Sequence, residues 1–191
     1  HGAWLILAFI LLYKLGDTMA SAMTTPFYLD IGYTKTEIGT VVKLFGFWAT
    51  IAGGTLGGIW ILRVGTHRAL WLFGFGQMIS TLGFVALAWY PLHVGALAAV
   101  VALENLTAGM GTAAFVGFMA ALTDRRFTAT QYALLSSLMG VPRVLLAAPT
   151  GWMAQVMGWP LFFLLCALIA IPGLLLLRWV KRPNAALWLA Y

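Results

Sequence analysis

Between residues 94 and 122 the chain carries a single ionisable side chain, Glu104, set in the apolar context GALAAVVALEN. A short polar turn, TDRRF, follows, and a second apolar run then continues to about residue 157. Each run exceeds the roughly 20 residues that a helix needs to cross a bilayer core. An ionised carboxylate facing lipid at that depth costs about 2.5–3.5 kcal/mol or more, so Glu104 is expected to face protein or water. Small residues recur at Gly109, Ala113 and Gly117. That spacing lets another helix backbone come close. The stretch 104–135 thus predicts a membrane hairpin with a buried acid in its descending arm.

The same grammar fills the chain. Its 191 residues are 62% hydrophobic and 8% charged, against roughly 25% charged in soluble domains. The expected class is an all-α polytopic membrane protein. The spans lie at about 3–28, 36–62, 69–90, 94–122, 129–157 and 161–180. The net charge of +6 is explained by basic cytoplasmic loops and requires no nucleic acid. Cys166 has no second cysteine with which to pair. The chain opens on His1 rather than Met, and the expectation is a piece of a longer protein.

Charges inside the spans are few and placed in a pattern. The first span holds Lys14 and Asp17 in YKLGD, three residues apart and so neighbours on a helix face. Thr24, Thr25 and Pro26 are expected to loosen its outer end. The second is expected to start near Thr36 and Glu37; it carries Lys43 and a face of Gly46, Thr50, Gly54 and Gly58. The third is uncharged, with Gln77, Ser80 and Thr81 as its strongly polar side chains. Glu104 occupies the fourth, and Arg143, flanked by Pro142 and Pro149, the fifth. The sixth has no charge before Arg178.

With a cytoplasmic N-terminus, the inner loops and tail collect Arg63, Arg68, Arg125, Arg126, Arg178, Lys181 and Arg182, and the outer side only Lys35. The excess of inner Lys and Arg predicts N-in/C-in topology. Each trio of spans reads acid, base, no charge: Asp17 and Lys43, then Glu104 and Arg143. This is the pattern of a 3+3 inverted repeat. Lys14, Lys43 and Arg143 outnumber the two acids and bias an internal cavity towards anions. The alternative is that these charges only lock helices together. A membrane enzyme is excluded on motifs: there is no H-E-x-x-H, G-x-S-x-G or P-loop, and no cofactor or metal signature.

Several stretches resemble a known family. Gly58, Arg63, Gly65 and Arg68 follow the cytoplasmic loop signature of the major facilitator superfamily, with Leu62 where an acid is usual. YKLGD, TTPF, TEIGTV, ENLTAGMGTAAFVGFM and RRFTATQYALLSS resemble the AmpG-type muropeptide permeases of that superfamily, over its C-terminal six-helix half. The resemblance implies a half-bundle over residues 1–182 with a tail at 183–191, and a partner half of six more helices. It implies import of anhydromuropeptides, anionic glycopeptides of cell-wall recycling, across the bacterial inner membrane with protons. Lys14, Lys43, Asn105 and Arg143 are then the expected substrate-binding residues, and Asp17 and Glu104 the expected proton carriers. Related acetyl-CoA transporters supply an alternative substrate, and a non-transporting scaffold subunit an alternative of another class.

Overall fold

The computed structural model describes residues 2–90, 93–122 and 128–180; the side chains of residues 2, 3, 128, 139, 142–144 and 146–148 lie outside that description. The described chain is all α. Helices α1 (Gly2–Tyr13) and α2 (Leu15–Asp30) form the first span, with Lys14 between them. α3 (Lys35–Val41), a π-helical segment (Val42–Gly46) and α4 (Phe47–Val64) run on as the second. α5 (Thr66–Trp89), α6 (Val94–Leu122), α7 (Thr128–Met157) and α8 (Trp159–Leu176) follow. Five stretches, 4–30, 35–64, 66–89, 94–122 and 159–176, are long and apolar enough to cross a membrane. α7 is a further helix of 30 residues.

Three local details differ from the sequence reading. α2 continues through Pro26 to Asp30, and the first span breaks instead at Lys14, at φ −98° and ψ 3°. The Lys14 carbonyl accepts from both the Thr18 N–H at 2.9 Å and the Thr18 hydroxyl at 2.7 Å. The second span starts one turn's edge earlier than expected, because Thr34 caps it. Thr34 Oγ1 accepts from the Glu37 N–H at 3.2 Å, while the Thr34 N–H donates to Glu37 Oε2 at 2.8 Å, a reciprocal capping box. Two connections shrink to one residue. Gly65 alone joins α4 to α5 and Gly158 alone joins α7 to α8, at φ +81° and +79°, backbone that glycine adopts without a Cβ penalty.

The small-residue seam also turns. Four residues advance a helix about 40° beyond a full turn, so a strict every-fourth pattern winds off its face. Gly46, Gly53 and Gly57 stay within about 20° of one line and are the positions that meet α6. A Cβ on Gly53 would fall 2.1 Å from the Leu106 carbonyl oxygen, and one on Gly57 2.8 Å from Met110 Cα. Gly54 and Gly58 would meet nothing within 4 Å. On α6, Gly109 lies against the Thr50 carbonyl and Ala113 against Gly57, whereas Gly117 faces open space.

α6 packs on α4 and α5, and α8 on α5, α1 and α2. Two apolar clusters result. One gathers Met19, Phe27, Phe84, Leu97 and Phe163; the other gathers Phe9, Tyr13, Phe73, Phe115 and Leu174. Along each helix the membership changes over one short interval: between Tyr13 and Met19, Phe73 and Phe84, Val101 and Ala114, Cys166 and Leu174. In that interval sit Lys14, Asp17, Gln77, Ser80, Thr81 and Glu104. A polar layer is therefore sandwiched between two apolar ones inside the bundle.

Candidate functional site: a polar layer opening on a cleft

The polar layer is assembled by three elements. The broken first span brings Lys14 and Asp17, whose Nζ and Oδ2 pair at 3.0 Å. The break lets the two meet inside the bundle, and Lys14 is 8% exposed. Its ammonium also donates to Gln77 Oε1 of α5 at 3.3 Å. One helical turn along, Ser80 and Thr81 donate to the Gln77 carbonyl at 2.9 and 3.0 Å. Both hydroxyls also reach Glu104 of α6: Ser80 contacts Oε2, and Thr81 lies 3.5 Å from Oε1. Thr107 joins Ser80 at 2.8 Å. Lys14, Asp17 and Glu104 thus belong to one hydrogen-bonded set, with α5 as the bridge.

The arrangement separates the two acids chemically. Asp17 has a cation against it, and the pair is close to neutral as a unit. Glu104 is buried, and its described hydrogen-bond partners are neutral hydroxyls. Among the described residues no cation forms an ion pair with Glu104.

On one side the layer opens into a cleft of about 180 Å³. α2 lines it with Asp17, Ser21, Thr24 and Thr25; α6 with Glu104 and Asn105; Tyr28 and Phe84 close it. Ser21 and Thr24 donate to the Thr18 and Ser21 carbonyls at 3.1 and 3.0 Å, leaving hydroxyl lone pairs as acceptors. Asn105 donates from Nδ2 to the Val101 carbonyl at 2.8 Å and accepts from Thr50 at 3.1 Å, so it is braced between α6 and α4. The sequence reading gives Thr24 and Thr25 a structural role only and does not single out Ser21. Their signal was present: Asp17, Ser21, Thr24 and Tyr28 step by four, three and four residues, one polar helix face.

Of the expected substrate-binding residues, Asn105 lines the cleft. Lys14 stands behind it, paired to Asp17. Lys43 is exposed on the π-helical segment, next to Val42, which lines the cleft. The Arg143 side chain lies outside the described residues, as do the basic turn at 123–127 and the tail beyond residue 180. Any approach of Arg143 to Glu104 is therefore undescribed; Ser80 and Thr81 hold the acid.

The model of the Major Facilitator Superfamily matches residues 5–188. The chain belongs to that superfamily. Within the superfamily it is 43% identical over 178 residues to the anhydromuropeptide permease of Escherichia coli (strain K12), covering 93% of this chain and 36% of that protein. It is 40% identical over 188 residues to an uncharacterized protein of Haemophilus influenzae, covering 93% of this chain and 44% of that one. The chain thus spans less than half the length of these curated relatives. The resemblance to AmpG-type permeases is upheld, and this superfamily member stands among transporters rather than enzymes. Its spans are helices, which satisfy their backbone groups internally; with the family match they make it a multi-pass inner-membrane protein.

Proposed function

We propose that the chain is the C-terminal six-helix half of a secondary transporter that imports anhydromuropeptides across the bacterial inner membrane together with protons. In this reading residues 1–182 form a 3+3 inverted repeat with both ends cytoplasmic, residues 183–191 are a tail, and a second six-helix half supplies the opposite wall of the cleft. The observation that carries the reading is the buried polar layer opening on a hydroxyl-lined cleft; among the described residues its Glu104 has no ion-pair partner, and an ionisable group inside a membrane bundle is by default a functional one. Asp17, Ser21, Thr24 and Asn105 supply the hydrogen bonds that a sugar and peptide amides need. Lys43 and Arg143 attract the carboxylates of the peptide, Arg143 through two parallel hydrogen bonds. Lys14 acts through Asp17, which it holds in place. Glu104 carries the proton.

The test is uptake of a radiolabelled anhydromuropeptide by proteoliposomes containing the intact transporter under an inward proton gradient. Accumulation is expected, with unlabelled acetyl-CoA failing to compete. Competition by acetyl-CoA would reassign the substrate, and absence of any solute uptake would favour a scaffold. Topology has its own check. In a Cys166→Ser background, an impermeant thiol reagent added outside should label His93→Cys and leave Thr66→Cys unlabelled. The reverse pattern would overturn the orientation.

A further inference from the structure

Beside Asp17 lies a second, smaller chamber whose walls include Tyr13, Asp17, Gln77, Thr81, Met78 and Cys166. It leaves about 10 Å³ for the centre of a water molecule, close to the room that one water requires. Asp17 is common to the chamber and the cleft.

The Gln77 amide singles this chamber out. Gln77 is 7% exposed. A lysine ammonium can only donate, so the amide presents its oxygen to Lys14, at 3.3 Å. Gly111 of α6 lies beside the same oxygen, which a Cβ there would approach to 3.0 Å. The amide NH₂ is on the other edge, and among the described residues Nε2 is buried with no hydrogen-bond partner. An unmet buried donor costs about 1–3 kcal/mol. The neighbouring walls offer acceptors: the Asp17 carboxylate, the Thr81 hydroxyl, and the Tyr13 hydroxyl, which donates to the Leu70 carbonyl at 2.9 Å and keeps its lone pairs. Two to four polar partners are what a buried water takes.

We propose that this chamber binds one ordered water, held by Gln77 Nε2, Asp17 and Thr81, and that the water and Thr81 connect Asp17 to Glu104 as one proton-sharing unit. The step balances as a concerted shift. Once the Thr81 hydroxyl turns from the Gln77 carbonyl to the water, protonated Glu104 gives its proton to Thr81 Oγ1, Thr81 passes its own to the water, and the water passes one to Asp17. One proton moves from Glu104 to Asp17, and the hydroxyl and the water are regenerated. Gln77 transfers nothing; it is a positioning residue for the water. Among the described residues, the titratable groups facing this unit are Lys14, Asp17 and Tyr13 from the first span, Tyr28 farther along α2, Glu104 on α6 and Cys166 on α8. α5 brings only neutral polar groups.

The water site stands independently of the transport reading, whereas its use in proton movement rests on that reading. The experiment therefore has two arms, both on the intact protein in lipid. In the first, infrared difference spectra across a pH step are recorded in H₂¹⁶O and H₂¹⁸O. A bound-water O–H stretch that shifts with the isotope is expected in the parent protein and in Thr81→Ser. It should be absent in Thr81→Val and in Gln77→Met, two near-isosteric changes chosen to preserve packing. In the second arm, proton-driven uptake of the labelled anhydromuropeptide should fall about tenfold or more in Thr81→Val and return in Thr81→Ser, with exchange at equal pH within about twofold of the parent. An isotope-sensitive band that persists in both Thr81→Val and Gln77→Met overturns the water site. Uphill uptake lost in Glu104→Gln but intact in Thr81→Val overturns the relay and leaves the transport reading standing. Uphill uptake retained in Glu104→Gln counts against the transport reading's proton carrier and against the relay, while the first arm still decides the water.

Discussion

A Glu104→Gln transporter is expected to exchange anhydromuropeptide across a membrane and to fail to concentrate it. Glutamine keeps the shape of the acid, and its amide, as donor or acceptor, can still hydrogen-bond with the Ser80 and Thr81 hydroxyls, so the polar layer stays connected. What is lost is the exchangeable proton. One proton moving down a gradient of one pH unit supplies about 1.4 kcal/mol, enough for about tenfold accumulation of solute. The parent protein should therefore reach about that ratio, and respond to a steeper gradient. The variant should stay at a ratio of one whatever the gradient, while counterflow at equal pH remains within about threefold of the parent. Accumulation by Glu104→Gln would remove Glu104 as the carrier and leave Asp17 as the next candidate.

Substitutions at adjacent glycines should have opposite outcomes. Gly53→Leu places a side chain where even its Cβ would lie 2.1 Å from the Leu106 carbonyl oxygen and 3.1 Å from Leu106 Cα. Those atoms are helix backbone and cannot rotate aside, so α4 and α6 must separate along their seam. Overpacking of this kind costs about 1–3 kcal/mol and sometimes more; with backbone as the obstacle, the upper end or beyond is expected. Gly54→Leu adds the same side chain where nothing lies within 4 Å, and should stay within about 0.5 kcal/mol of the parent. Thermal unfolding and size-exclusion profiles in mild detergent read the difference. Equal stability of the two variants would show that α4 and α6 do not meet along Gly53.

The residues that sequence made legible are those whose environment follows from composition alone. An acid such as Glu104 in a long apolar run has one physical solution, an inward face, and the structure buries it. The span from 94 to 122 carries the same bounds in sequence and structure because no proline or cluster of turn-forming residues interrupts it before the TDRRF turn. Pairings between helices were not legible. Nothing within one span states which face meets which neighbour, so Ser80 and Thr81 read as incidental hydroxyls until α5 and α6 were packed together. Gly54 was misread for Gly53 because a four-residue repeat is easy to see and its 40° drift is not. The break at Lys14 escaped notice because no proline marks it, while Pro26 drew attention to a turn that stays helical.

The one-residue connections bear on how the molecule is made. Gly65 and Gly158 leave no slack between α4 and α5, or between α7 and α8. As the chain leaves the ribosome, neither second helix can wander from the first and return. Both arms of the α4–α5 pair are long and apolar enough to cross a membrane, and so short a link favours their entering it together as a hairpin.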